Sequence, residues 1–275
     1  MSESIKVILL TVCLSLVIGF LLGFLLGLFK KIFAVKTDPK VEEIRSVLPG
    51  ANCGGCGYPG CDGFAAACAA GNAPCNGCSA GGSEVAKRIG EIMGQTVDAM
   101  PKVALLACQG TKDCAMDRGF YNGIKSCKSA VLAINGTKMC TFGCVGFGDC
   151  LNVCKFDALT MGDDGLPHVD YKKCVGCGAC AKACPKGLFV LLQKNTKGSV
   201  ALCSNRSENR PLIKKNCSKG CIKCGLCVKK CPKGAIALVN GLPVIDYSKC
   251  DSCGTCVTVC SSKVFTLFEN LVAEK

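Results

Sequence analysis

The sequence contains no tryptophan and a single histidine, His168. Zinc sites that mix cysteine and histidine ligands, and acid–base catalysis by histidine, therefore have little support. No G-x-G-x-x-G segment follows a strand and opens a helix, and there is no Ser/His/Asp or paired-carboxylate constellation. These absences exclude a dinucleotide-binding fold and predict a protein with no substrate-converting site of its own.

Cysteine is the residue in excess, with 28 in a chain of 275. Such a content is typical of disulfide scaffolds in short secreted proteins and of metal or cluster binding elsewhere. Because histidine is nearly absent, the metal ligands are expected to be thiolates alone.

The formal net charge is +13. Four thiolates around a [4Fe–4S]2+ core carry a net charge of about −2, so five clusters would bring the protein to roughly +3. A nucleic-acid partner is therefore not expected. The lysines beside the cysteine motifs offset cluster charge or dock an acidic carrier protein: Lys172, Lys173, Lys229, Lys230 and Lys233.

Residues 7–29 run for 23 positions without a charge, which is long enough for one transmembrane helix. Lys30, Lys31 and Lys36 follow the apolar run, unlike the flanks of a secretory signal. The positive-inside rule then predicts a single-pass protein of the cell (inner) membrane, with its cysteine-rich part in the cytoplasm.

Three glycines recur at every fourth position of this apolar run, at Gly19, Gly23 and Gly27. They predict a helix face against which a helix from a partner protein packs closely. The alternative is that glycine is simply common in membrane helices.

The first cysteine motif lies in the segment LPGANCGGCGYPGC and predicts a [4Fe–4S] site. Its glycines allow the backbone to wrap tightly around a cluster. A zinc site is the alternative, although zinc loops usually come as paired motifs. Cys68 and Cys75 are left over and are expected to be small buried hydrophobic residues. The ligands are predicted to be Cys53, Cys56, Cys61 and Cys78.

Residues 165–192 and 241–268 are copies of one another, 76 residues apart. A further cysteine run precedes each copy, and a hairpin-like Gly-Leu-Pro segment joins the two runs. This is the pattern of a two-cluster ferredoxin, in which each run gives three ligands to one cluster and its fourth to the other.

The ferredoxin rule assigns four cluster sites. In the second module these are Cys221, Cys224 and Cys227 with Cys260, and Cys250, Cys253 and Cys256 with Cys231. In the first module they are Cys174, Cys177 and Cys180 with Cys154, and Cys140, Cys144 and Cys150 with Cys184. The run from Cys140 to Cys154 is wider than the standard spacing.

Five [4Fe–4S] clusters are thus expected, and unused cysteines raise the count to six. The sixth site rests only on that arithmetic, and free buried thiols are the alternative. His168 is expected in a surface loop rather than as a ligand. The hypothetical sixth ligand set is Cys108, Cys127, Cys203 and Cys217.

The predicted fold is α+β, with a single N-terminal transmembrane helix, a small α-rich 4Fe-4S domain and tandem two-cluster ferredoxin-like modules. The insert is expected to contain a strand and then a helix. The boundaries are an anchor at 1–33, a cluster domain at 34–100, an insert at 101–139, module one at 140–195, a connector at 196–220 and module two at 221–275.

The order of membrane helix, EEIRSVLPGANCGGCGYPGC motif and tandem ferredoxin modules resembles the B subunit of Rnf complexes, the membrane ferredoxin:NAD+ oxidoreductases. The resemblance implies an electron-transfer subunit of a translocase. It would take electrons from soluble reduced ferredoxin and pass them to other subunits, where NAD+ is reduced while Na+ or H+ crosses the membrane.

Three alternatives stay open on the sequence alone. The chain could donate electrons within another membrane reductase, or within an Rnf-like complex that reduces a redox-sensing regulator. It could also be a membrane-tethered zinc scaffold with no redox role.

Overall fold

The structure is a computed structural model that describes residues 3–32, 38–97 and 100–273. Helix α1 (Glu3–Ile32) contains one candidate membrane span, Ile5–Phe29, with a mean hydropathy of 2.8. Its apolar side chains are exposed along its length. The expected N-terminal apolar helix is confirmed. Lys36 lies outside the described residues, as do the side chains of Lys30 and Lys31.

Three helices form the domain that follows: α2 (Pro39–Val47), α3 (Gly60–Ala69) and α4 (Gly82–Met93). Asp38 caps α2 by accepting a hydrogen bond from the backbone of Lys40, and proline occupies the first turn. The buried side chains of Ile44, Phe64 and Ile89 join the three helices in one core. This small helical core fixes the loop that carries the first cysteine motif.

The first ferredoxin-like module is built from two antiparallel strand pairs. The strands are β1 (Lys102–Leu106), β2 (Leu159–Met161), β3 (Pro167–Val169) and β4 (Phe189–Gln193). The intervening helices are α5 (Cys127–Ile134), α6 (Asp149–Asn152) and α7 (Ala179–Ala183). Strand β2 pairs with β3, and β1 pairs with β4. The predicted insert therefore contributes a strand to the sheet of the module that follows it.

The second module repeats this plan. Its strands are β5 (Ser199–Ala201), β6 (Ile236–Val239), β7 (Leu242–Ile245) and β8 (Phe265–Leu267). Its helices are α8 (Arg210–Asn216), α9 (Leu226–Lys230), α10 (Thr255–Val259) and α11 (Phe268–Ala273). Strand β6 pairs with β7, and β5 pairs with β8. The α+β class and the repeat of ferredoxin-like units agree with the prediction.

The two modules share a hydrophobic core. Val103 and Tyr171 of the first module pack with Val200 and Phe268 of the second. The rings of Tyr171 and Phe268 meet edge to face, with centroids 6.2 Å apart. The modules are therefore packed against each other rather than joined by a linker alone.

His168 differs from its expected place in a surface loop. It lies in strand β3, partly buried, with its Nε2 3.1 Å from the carboxylate of Asp164. The reason is the register of the hairpin, which pairs His168 with Thr160 of β2.

Candidate metal centres

The first cysteine motif forms site A, around one cavity lined by Cys53, Cys56, Cys61 and Cys78. Asn52 accepts a 2.8 Å hydrogen bond from the backbone N–H of Cys61, which ties the loop to the start of α3. Burial raises the pKa of the Cys78 thiol, and the nearby thiols of Cys61, Cys56 and Cys53 raise it further. The structure thus brings together the four cysteines grouped from the sequence.

Site B lies in the first module, around a cavity lined by Cys154, Cys174, Cys177 and Cys180. Burial raises the pKa of Cys180 to about 12, with the Cys174 and Cys177 thiols adding to the effect. The backbone N–H of Ala104 in β1 donates to Cys174 Sγ at 3.4 Å. This grouping also matches the sequence-based set.

Site C differs by one residue from its predicted set. Its cavity is lined by Cys127, Cys144, Cys150 and Cys184, so Cys127 takes the place assigned to Cys140. Burial raises the pKa of Cys150 to about 12, and the thiols of Cys127 and Cys184 raise it further. Helix α5, which begins at Cys127, supplies the fourth thiol from outside the ferredoxin run.

Site D brings together most of the hypothetical sixth set. Its cavity is lined by Cys108, Cys140, Cys203 and Cys217. Burial raises the pKa of Cys140, and the Cys108 and Cys203 thiols contribute. Asn205 Nδ2 donates to Cys140 Sγ at 3.4 Å.

Cys127 and Cys140 have therefore exchanged places relative to the sequence-based grouping. A tight turn, in which Gly143 N–H donates to the Cys140 carbonyl at 2.9 Å, follows Cys140, so Cys140 and Cys144 line different cavities. The signal in the sequence was the three-residue gap between Cys140 and Cys144, where a standard run has two.

Two further groups lie in the second module. In site E, burial raises the pKa of Cys221 to about 11, and the nearby thiols of Cys227 and Cys260 add to the effect. The thiol of Cys224 in turn raises the pKa of Cys227.

In site F, Cys256 is close to Cys250 and Cys253, and burial is the main cause of its raised pKa. Cys231 packs against the core that contains Cys256. Both groups follow the sets derived from the regular spacing.

The geometry and chemistry of these groups suit a [4Fe–4S] cluster. Each of the four cavities at sites A to D is lined by four cysteine side chains. In the described part of the chain, no three His, Cys, Asp or Glu side chains converge closely enough to hold one metal ion. Zinc–sulfur bonds of about 2.3 Å would need such convergence. Sets of four thiols are the donor set of a [4Fe–4S] cluster.

Polar groups around the thiols point to the same conclusion. Backbone N–H groups donate to Cys108, Cys203, Cys231 and Cys260 at 3.3 to 3.4 Å. The buried Oγ of Ser252, between two ligands of site F, has no partner among the described residues. Hydrogen bonds to thiolates and sulfides are a feature of cluster sites and tune their potentials.

The remaining cysteines lie outside these groups. Cys68 and Cys75 are buried behind site A, as expected of small hydrophobic residues. Cys114 Sγ donates to the Gln109 carbonyl at 3.1 Å, and Cys13 is exposed on α1.

Sites A, B and C follow one another in space. A Cβ built on Gly55 of site A would lie 3.0 Å from the carbonyl oxygen of Cys177 in site B. Cys150 of site C contributes to the raised pKa of Cys180 in site B. Site A therefore lies next to site B, and site B lies next to site C.

Sites C, D and E continue the series. Cys108 of site D raises the pKa of Cys144 in site C. Cys203 of site D accepts a hydrogen bond from the backbone N–H of Cys221 in site E at 3.4 Å. Ligands of sites E and F share one small core. The six groups thus form a continuous series from A to F.

Lys138 is buried between sites C and D. Its side chain is 6% exposed and its Nζ donates to the carbonyl of Gly110. It lines the cavity of site D and favours the thiolate of Cys144 in site C. A buried cation here offsets negative charge at two sites.

Comparison with known proteins follows the same division of the chain. Residues 48–80 match the family model of an Fe-S cluster domain. Residues 139–188 and 220–265 each match a 4Fe-4S dicluster domain. The chain therefore carries several iron–sulfur clusters.

Three relatives, each the B subunit of its complex, cover most of the chain. That of the Na(+)-translocating ferredoxin:NAD(+) oxidoreductase complex of Acetobacterium woodii is 44% identical, over 84% of this chain and 69% of the relative. The B subunit of the ion-translocating oxidoreductase complex of Methanosarcina acetivorans is 39% identical, over 86% of this chain and 89% of the relative. The B subunit of the proton-translocating ferredoxin:NAD(+) oxidoreductase complex of Clostridium ljungdahlii is 37% identical, over 84% of this chain and 82% of the relative.

Proposed function

Because the chain belongs to the family of B subunits of ion-translocating oxidoreductase (Rnf) complexes, we propose that it accepts electrons from reduced ferredoxin and relays them to other subunits. Those subunits couple NAD+ reduction to Na+ or H+ translocation. Membership of the family makes the chain an iron–sulfur electron-transfer component of a membrane-associated complex. The names of two relatives, which specify ferredoxin and NAD(+), support this donor and acceptor.

The proposed cofactors are six [4Fe–4S] clusters, one at each of sites A to F. The observation that carries this count is that four cysteines line each of four cavities, one of which is site D. The proposed ligand sets are Cys53, Cys56, Cys61 and Cys78; Cys154, Cys174, Cys177 and Cys180; Cys127, Cys144, Cys150 and Cys184; Cys108, Cys140, Cys203 and Cys217; Cys221, Cys224, Cys227 and Cys260; and Cys231, Cys250, Cys253 and Cys256.

A bound cluster supplies one-electron redox chemistry. The protein's own contribution is to hold the thiols, bury most of them fully or in part and set the distance between neighbouring sites. Gly55 permits close approach of sites A and B, and Lys138 supplies positive charge between C and D. We assign no substrate-converting residue to this protein.

Helix α1 is proposed to cross the membrane once, with sites A to F on the cytoplasmic side. Its side chains are exposed to the surroundings, as a lipid-facing helix requires. Gly19, Gly23 and Gly27 lie along one side with no described atom within 4 Å of a Cβ built on each. This open strip is proposed to receive a helix of another member of the Rnf complex.

The test is the iron and acid-labile sulfide content of anaerobically purified full-length protein, with low-temperature EPR after dithionite reduction. Six clusters give about 24 iron atoms per chain and interacting [4Fe–4S]+ signals. A Cys68→Ala variant is the matched control, since Cys68 is buried but outside every ligand set, and it should keep the full count. An iron content that saturates at about 20 atoms per chain would show that site D binds no cluster. Zinc in place of iron would refute the electron-carrier function.

A further inference from the structure

The two ferredoxin-like copies place one cysteine in equivalent positions, Cys177 in the first and Cys253 in the second, 76 residues apart. In the first copy, the site A loop packs directly on this position. A Cβ built on Gly55 would lie 3.0 Å from the Cys177 carbonyl oxygen and 3.1 Å from its Cβ. Lys155 also donates to the Asn52 carbonyl at 3.3 Å. The first copy therefore shows how a second cluster-binding unit docks at this position.

The equivalent position in the second copy is left open by the residues that the structure describes. Cys253 is exposed, whereas Cys177 is only partly exposed. Cys253 belongs to site F, which ends the series of sites at the opposite end from site A. A ligand cysteine open to solvent at the end of the series is where an outside electron carrier would approach most closely.

Charge distinguishes the two ends of the protein. Residues 194–275 contain 14 lysines and arginines against five acidic residues, whereas residues 38–193 contain 15 against 14. Clusters of about −2 at sites E and F would leave the C-terminal third positive, and those at A, B and C would leave the preceding part negative. A negatively charged carrier is therefore attracted to the end that holds site F.

The two ferredoxin-like modules differ in net charge in the same direction. Residues 140–187 contain five lysines and five aspartates, and residues 221–263 contain six lysines and two aspartates. Lys230 and Lys233 flank Cys231, and both are exposed. Lys249, which directly precedes the ligand Cys250, is exposed as well, and its Nζ lies 3.0 Å from the carboxylate of Asp246. Exposed lysines therefore lie beside two ligands of site F, Cys231 and Cys250.

We propose that the outer surface, defined by Cys253, Lys230, Lys233 and Lys249, is the docking site for a small acidic iron–sulfur carrier protein. The carrier occupies the position on the second copy that the site A loop occupies on the first. One electron passes from the reduced carrier, which becomes oxidised, to this protein, which becomes reduced. The inference rests on the proposed function and adds to it the face at which electrons enter.

The experiment uses full-length holoprotein in detergent and a soluble, acidic two-[4Fe–4S] ferredoxin as the probe. The Kd for oxidised ferredoxin and the rate of reduction by reduced ferredoxin are measured at low and high salt. The test variant is Lys230→Glu with Lys233→Glu. The matched control is Arg210→Glu with Lys215→Glu on α8, which makes the same charge change at exposed positions outside the outer surface.

At low salt the test variant should weaken binding and slow reduction by roughly tenfold, and most of its salt dependence should disappear. The control should change both by less than about twofold, and dithionite should reduce all three proteins equally. If the control and test variants behave alike while wild type is reduced by ferredoxin, ferredoxin remains the proposed donor but the outer surface is not its docking site. If ferredoxin neither binds nor reduces the wild type, the proposed donor and this surface both fail.

Discussion

The carboxylate of Asp149 accepts a 3.0 Å hydrogen bond from the backbone N–H of Cys127, 22 residues earlier in the chain. It also accepts hydrogen bonds from the Lys128 N–H and the Ser126 hydroxyl. Burial opposes ionisation of Asp149, but these three hydrogen bonds outweigh it and lower its pKa. Because Cys150 follows Asp149 directly, one carboxylate holds together two of the thiols of site C.

Replacing Asp149 with alanine should therefore impair site C. We expect loss of about 1 kcal/mol of stability from the uncapped α5, and loss of up to about four iron atoms per chain. Iron analysis and chemical unfolding measure the two effects. The control is Asp163→Ala, an exposed aspartate in the β2–β3 hairpin. Full iron content in Asp149→Ala would mean that Cys127 needs no such support.

Pairs of cysteine variants distinguish the observed grouping from the sequence-based one. If Cys127 and Cys144 share site C, the double alanine variant should lose about four iron atoms, no more than either single variant. Cys127→Ala with Cys108→Ala should lose about eight, because those residues line different sites. The sequence-based sets predict the reverse, so iron counts on these two double variants decide between them.

Lys138 should raise the reduction potentials of sites C and D. Reduction adds negative charge, which a buried ammonium stabilises, so Lys138→Met should lower at least one potential by on the order of 50 mV. Spectroelectrochemical titration with EPR detection measures the shift. Lys112→Met, at an exposed lysine, is the control. Unchanged potentials would show that the charge of Lys138 is already screened.

Gly55 should control the contact between sites A and B. A valine there would meet the Cys177 carbonyl, so the two sites should move apart. We expect Gly55→Val to keep its iron while electron transfer between the sites slows by more than about tenfold. Freeze-quench EPR after rapid reduction measures this rate. A variant with normal iron and a normal rate would place the electron path elsewhere.

Cys68 should make stability depend on alkaline pH. Burial, then the thiols of Cys75, Cys56 and Cys78, raise its pKa from 9.0 to about 11. Its contribution to folding is complete below pH 9, because the thiol is protonated in both states. The contribution is lost as pH rises towards 11, because the unfolded chain releases this proton first.

The comparison that tests this is the denaturant midpoint of wild type and Cys68→Ala at pH 8 and pH 10. Wild type should lose more stability between these values than the variant does. Cys13→Ala, in the exposed helix α1, should behave like wild type. Equal slopes for all three proteins would contradict a raised pKa at Cys68.

The local pattern of the sequence predicted the apolar helix and the regular cysteine loops, but not the place of His168 in strand β3. The uncharged run gives α1, and the regular C-x2-C-x2-C runs place Cys174, Cys177 and Cys180 around one cavity, because the short loops leave them few alternatives. The insert was also correctly predicted as a strand followed by a helix.

What the sequence did not reveal depends on contacts between distant segments. The pairing of β1 with β4 and of β5 with β8 joins strands about 65 to 90 residues apart, for which spacing gives no rule. The exchange of Cys127 and Cys140 has the same origin. It depends on a turn after Cys140, which the three-residue gap signals, and on the Asp149 carboxylate, which leaves no mark on cysteine spacing.

The long reach of site D has a consequence for how the protein is made. Its thiols come from positions 108, 140, 203 and 217, so the ribosome must synthesise the connector before this set is complete. The last cysteines of sites A, B, C and D emerge in that order, at 78, 180, 184 and 217, followed by those of F and E at 256 and 260. Translation thus completes the ligand sets of sites A to D in their order along the series, and a nascent chain that stalls before site D is complete retains an uninterrupted run of sites that begins at A.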